Sequence, residues 1–191
     1  MHDALQQTVR DAASVGLGVL LVSSLLFGVT GVWPPMVAVE SGSMEPHMTR
    51  GDLIVVADPT RDGAGTAAGV VPAADAPEAT QTFGAAGDVI VFDSPTKPGS
   101  PIIHRARLYV ERGENWYDEA DPAALPPGVD SCRELADCPA PYAGFVTKGD
   151  ANEQYDQVNG NSPIVRPNRI RAEAHARIPL LGHLRLTLTG A

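Results

Sequence analysis

The chain has 191 residues and a formal net charge of −9, from 14 Lys and Arg against 23 Asp and Glu. Its length bounds it to one domain, or one domain plus an anchor. Its acidity argues against gripping nucleic acid through phosphate neutralisation and against a polybasic membrane-surface module.

Residues 1–11 form a short N-terminal tail. No Lys, Arg, Asp or Glu then occurs between Asp11 and Glu40, and Pro34-Pro35 cuts the run. Residues 12–33 are long enough to cross a bilayer as a helix, with Trp33 placed as an interfacial aromatic. A cleaved signal peptide and a buried core helix are the competing readings. The first usually has a shorter apolar stretch and a small-x-small end, where this run ends Val32-Trp33-Pro34-Pro35. The second is at odds with a stretch that is apolar all round.

Past the anchor, residues 36–191 read as a β domain. Short β-rich runs fall at 36–39, 52–57, 88–92, 102–110, 144–147, 164–166 and 170–178, separated by Gly and Pro. No long helical pattern and no internal repeat is present. Residues 58–86 and 112–142 read as insertions, expected to be partly mobile surface excursions. The second holds the only cysteines, Cys132 and Cys138. Their close spacing suggests a local disulfide worth about 2 kcal/mol and an oxidising exterior. No zinc site is expected, because no His or further Cys stands at ligand spacing nearby. In the tail, Leu184, Leu186 and Leu188 alternate with Arg185 and Thr187. The period is that of a strand, either a last core strand or an edge resting on the membrane.

The segment Glu40-Ser41-Gly42-Ser43-Met44-Glu45-Pro46 begins just past the anchor and leads through Arg50-Gly51-Asp52 into a β run. This Ser-x-Ser-Met-x-Pro pattern resembles the nucleophile segment of type I signal peptidases, membrane-anchored serine proteases that remove signal peptides. Gly87-Asp88 with its strand, Ile102-Ile103-His104-Arg105-Ala106, and Gly149-Asp150-Ala151-Asn152 with Asp156 resemble further segments of that family. The resemblance covers most of the chain outside the two insertions. It implies a mainly β, signal-peptidase-like (LexA-like) domain after one transmembrane helix. It implies Ser43 as nucleophile, with Ser41 and the Ser43 N–H in the oxyanion hole.

The base position holds His104-Arg105, the form of the archaeal and endoplasmic-reticulum branch, where bacterial members have Lys-Arg. Lys97 and Lys148, the only lysines, stand elsewhere. A Lys base must be neutral near pH 7, which needs a large pKa depression. A His needs none, but needs its second ring nitrogen held by a carboxylate. Asp156 is the first candidate and Asp150 the second, with Asp150 alternatively holding Arg105 or the sheet. Ala151 and Tyr155 depart from the family pattern, which often has Asn and an acid there. His47 sits in the same turn as Ser43 and is not expected to serve as base. His2, His175 and His183 read as surface or structural residues.

The expected protein is a serine endopeptidase with no metal or cofactor, anchored in the cell membrane with its domain outside. Its expected partners are the lipid bilayer and secretory pre-proteins with small residues before the cut. Nucleic acid is not among them. The alternatives are a LexA-like self-cleaving regulator, which would pair Ser with Lys and carry a DNA-binding domain, and a noncatalytic envelope protein of the same fold. The acidic, lysine-poor composition fits both a halophile-like surface and drift in a GC-rich genome.

Overall fold

A computed structural model describes residues 2–61, 68–79 and 81–189. The first element is a long helix, α1 (His2–Thr30). Its segment Arg10–Thr30 has a mean hydropathy of 2.1, and the rest of the protein leaves it bare. Leu17, Leu20, Leu25 and Val29 are all more than half exposed. The helix is thus long and apolar enough to cross a membrane. It stops at Gly31, whose φ of +74° closes the last turn and whose N–H donates to Phe27 O at 2.8 Å. The helix therefore ends three residues before the boundary expected at Trp33.

Six strands follow: β1 (Met36–Ala38), β2 (Leu53–Ala57), β3 (Val89–Phe92), β4 (Ile102–Val110), β5 (Gly144–Lys148) and β6 (Ile170–Ile178). They form one sheet in the order β1-β2-β6-β3-β4-β5. Every neighbouring pair is antiparallel. The last strand is therefore inserted between β2 and β3. A mainly β domain after an apolar helix is what the spacing of short β runs predicts. Register shifts at Val55/Val56, Val91/Phe92 and Ala106/Leu108 mark irregularities that bend the strands.

Both faces of the sheet are covered. Along β3, Val89 and Val91 join a core with Met44, Met48, Ile54, Val56, Ala172 and Ala174. Ile90 and Phe92 join a second core on the opposite face, with Val70, Ala106, Phe145 and Val165. This is the two-residue period of a strand buried on both sides. A third core gathers Leu108, Val110, Trp116, Leu135, Val146, Tyr155 and Ile164.

Four expectations need correction. Residues 112–142 are not a loose excursion. They carry three short 3₁₀ turns, and Trp116 is fully buried against the β4–β5 hairpin and Tyr155. Cys132 and Cys138 do form a disulfide there. Within 58–86, much of the described surface is exposed as expected, but the segment is tied down: residues 58–61 bond the end of α1 and residues 73–74, 82 and 85 bond β4. Ala73 and Ala74 donate to Ala106 O and Arg107 O, and Val70 is fully buried. Residues 62–67 and 80 lie outside the described residues. The run 164–166 is not a strand. Val165 makes an isolated bridge with Phe145, because Pro163 and Pro167 lack the N–H groups that would extend it.

The tail is not a strand either. Pro179 ends β6, Leu180 adopts a φ of +63°, and residues Gly182–Thr189 form helix α3. Its first residue presses on Asp52, where a Cβ on Gly182 would stand 2.4 Å from Asp52 O. Leu186 is buried.

Candidate active site

The turn after β1 carries Ser43. Its neighbours Met44 and Met48 are fully buried in the core beneath, so the turn is anchored from below. The N–H groups of His47 and Met48 both donate to Met44 O at 3.0 Å. Ser43 is left half-buried at the rim of a cleft, while Ser41 and Gly42 are exposed. Ser41 Oγ lies 3.2 Å from Ser43 Oγ, and either can donate.

Strand β4 brings His104 to Ser43 from 61 residues away. The imidazole is buried, and its Nε2 is 3.0 Å from Ser43 Oγ. Its Nδ1 is 2.6 Å from Asp156 Oδ2. Asp156 is the first residue of a one-turn helix, α2 (Asp156–Asn159), and is fully buried. Its Oδ2 also accepts from Thr147 Oγ1 at 2.8 Å, and its Oδ1 from Asn161 Nδ2 at 3.1 Å. The carboxylate thus has three donors. Gln157 ties α2 to β5 by accepting from the Thr147 N–H at 3.0 Å.

The carboxylate is also braced from behind. Tyr155 is buried and packs edge-on against Trp116 at 6.1 Å. Its hydroxyl accepts from the Asp121 N–H, and its own N–H donates to Ala124 O. Residues 112–142 therefore hold the residue next to Asp156. This gives a physical account of why an aromatic stands where an acid was expected.

Asp150 does not orient His104, which corrects one reading of it; the structure has it in the alternative role, holding Arg105. It takes a two-pronged bond from Arg105, at 2.8 Å from Nε and 2.6 Å from Nη2, and a third contact from His47 Nδ1 at 2.8 Å. Arg105 is fully buried, and its Nη1 serves the carbonyls of Thr82, Ala85 and Gly87. Burial acts to raise the Asp150 carboxyl, but the bonds and charge of Arg105, with His47, hold it below the usual aspartate range. This pair also steadies the nucleophile, because the next residue, Ala151, donates its N–H to Ser43 O at 2.9 Å.

Gly87, φ +86°, sits in the same crowded spot. A Cβ there would be 2.5 Å from Ala73 N and 2.8 Å from Ala106 O. Asp88 is structural: its Oδ2 accepts from the Val71 N–H at 2.7 Å. Asp52 is structural too. Burial pushes its carboxyl up, but donors from Thr49 and Leu180, with Arg177 nearby, bring it below the usual range.

The cleft beside Ser43 has a volume of about 740 Å³. Val37 and Ala38 of edge strand β1, residues 97–103 and Leu186 of α3 line it. Lys97 lies in this lining but bonds Asn161, not Ser43. Lys148 bonds Asn152 O at 2.5 Å. Burial first, then the Arg107 charge, lowers its pKa. Among the described residues, no group of three or more His, Cys, Asp and Glu is placed to hold a metal ion.

The structure brings together Ser41, Ser43, His104 and Asp156 and separates Asp150 from them. Sequence reasoning missed Thr147 and Asn161; it set His47 aside as a base without seeing its bond to Asp150. Thr147 stands on β5 two residues before Gly149, and Asn161 carries no sequence signal of its own. Comparison with protein-family models and with curated proteins gives no match.

Proposed function

We propose that this protein is a membrane-anchored serine endopeptidase that removes signal peptides from exported pre-proteins. The observation that carries the reading is the hydrogen-bonded line Ser43–His104–Asp156, drawn from three separate segments and ending at an open cleft. A serine hydroxyl needs a neighbour to take its proton. His104 Nε2 is in position to do so, while Asp156 holds Nδ1–H and stabilises the imidazolium that forms. Ser43 Oγ attacks the peptide carbonyl. The oxyanion is met by the Ser43 N–H and the Ser41 hydroxyl. His104 returns the proton to the leaving amine, then activates the water that hydrolyses the acyl-enzyme. The chemistry requires neither metal nor cofactor.

The substrate class rests on the sequence resemblance together with the placement of the cleft. An extended peptide laid beside β1 reaches Ser43, and α1 tethers the cleft to the bilayer in which a signal peptide's apolar segment lies. A domain on the outer side of the cell membrane suits the Cys132–Cys138 bridge.

The test incubates the full chain in lipid with a labelled pre-protein. The wild type is expected to cut many copies after a small residue, and Ser43→Ala and His104→Ala to cut none. Undiminished cutting by Ser43→Ala refutes the reading. A single self-cut points to a LexA-like regulator, and no cut at all to a noncatalytic protein. The full chain is expected to resist carbonate extraction from membranes.

A further inference from the structure

Beyond the Ser43–His104–Asp156 line, one side chain in the cleft wall joins two opposite charges. Asn161 Nδ2 donates to Asp156 Oδ1 at 3.1 Å, and Asn161 Oδ1 accepts from Lys97 Nζ. The Asn161 backbone is pinned as well. Its carbonyl accepts from Ser94 Oγ at 2.8 Å and Thr96 Oγ1 at 2.6 Å, and its N–H donates to Asn159 Oδ1 at 2.9 Å. The loop that carries Lys97 is thus fastened to the residue that touches the buried carboxylate.

A primary amide has one acceptor end and one donor end of nearly equal shape. Turned by half a rotation, Asn161 would aim its oxygen at the Asp156 carboxylate, acceptor against acceptor. An ammonium has only donors and a carboxylate only acceptors. Lys97 and Asp156 therefore select the same orientation from opposite ends. Held this way, Asn161 occupies Oδ1 and leaves Oδ2 to His104 Nδ1 and Thr147.

We infer that Lys97 is a positioning residue: by fixing the Asn161 amide it keeps Asp156 Oδ2 aimed at His104. This inference rests on the serine-endopeptidase reading. It gives the cleft lysine a task other than that of general base. Lys97 is exposed, so its share is smaller than that of Asn161.

The test is a double-variant cycle on the full chain in lipid, with labelled pre-protein. Asn161→Leu should lower kcat by about 10- to 100-fold, the value of a hydrogen bond to a buried charge. Lys97→Met should lower it by about 3- to 10-fold with KM nearly unchanged, and Lys97→Arg should restore it. The combined variant should fall no further than Asn161→Leu alone, because one residue acts through the other. A second readout needs no substrate: the low-field proton resonance of His104 Nδ1–H should move in both single variants.

The inference is overturned if Lys97→Met keeps the wild-type kcat, if the two losses multiply, or if the loss falls on KM alone. An unmoved resonance in Lys97→Met overturns it as well. A wild type no more active than Ser43→Ala refutes the endopeptidase reading instead, and the resonance still decides the Lys97–Asn161–Asp156 link.

Discussion

Replacing Asp156 by asparagine preserves the side chain's shape and turns one oxygen into an NH2. The surroundings decide where that NH2 goes. At the Oδ1 position it would meet Asn161 Nδ2, a donor against a donor at 3.1 Å. At the Oδ2 position it meets Thr147 Oγ1 at 2.8 Å, a hydroxyl that can turn and accept. It also meets His104 Nδ1 at 2.6 Å. The second arrangement satisfies every group, provided Nδ1 carries no proton. The imidazole proton then sits on Nε2 and points at Ser43, so the base cannot accept. A wrong tautomer of this kind costs about 10⁴-fold in kcat, or about 5.5 kcal/mol of barrier. Single-turnover cleavage of a labelled pre-protein measures it, with KM and the thermal midpoint expected to stay near wild type. An Asp156→Asn protein that keeps about a tenth or more of the wild-type kcat would refute the reasoning, because the expected loss is about a thousand times larger than that.

Arg105→Met leaves Asp150 and three carbonyls facing an apolar side chain. Calorimetry is expected to show a loss of about 3–5 kcal/mol, about 10 °C in midpoint. Trp116→Ala should cost about 3–5 kcal/mol in urea unfolding, since it empties a fully buried site beside Tyr155. Asp150 and Asp52 both have carboxyls held below the unfolded value, so their contribution is full above about pH 4. It is lost as pH falls through the lowered folded values. Urea midpoints should therefore drop on acidification, and Asp150→Asn should start lower and drop less steeply.

The β runs were legible because Gly and Pro punctuate them and because two-residue periods survive in short segments. Ser43, His104 and Asp156 were legible because the first two stand in compact motifs and the third follows Gly149-Asp150 at a fixed step. The Arg105 partner of Asp150 was legible as an alternative, since strand period places Arg105 on the face opposite His104. Thr147 and Asn161 act only through the fold, which brings β5 and the residues after α2 to one carboxylate. Residues 112–142 looked loose because their composition is acidic and Pro-bearing. Trp116, with Ala120, Ala124, Leu135 and Ala140, packs them into a core, and a disulfide joins Cys132 to Cys138. The leucine alternation near the C-terminus misled because β6 ends before it, at Ile178, and after the left-handed Leu180 the residues that carry it continue as a helix.

His104 and Arg105 are adjacent on β4, and each enters a compartment the other cannot use. A slip of one residue in the pairing of β4 would turn every side chain of the strand to the other face. In one direction the guanidinium would enter the site beside Ser43 and Ala106 would face Asp150; in the other, the imidazole would face Asp150 and the carbonyls of Thr82, Ala85 and Gly87 with too few donors to serve them. The two side chains together act as a check on alignment. In the pairing observed, no buried side-chain polar atom among the described residues lacks a partner, and the same register that seats Arg105 on Asp150 brings the base to the nucleophile.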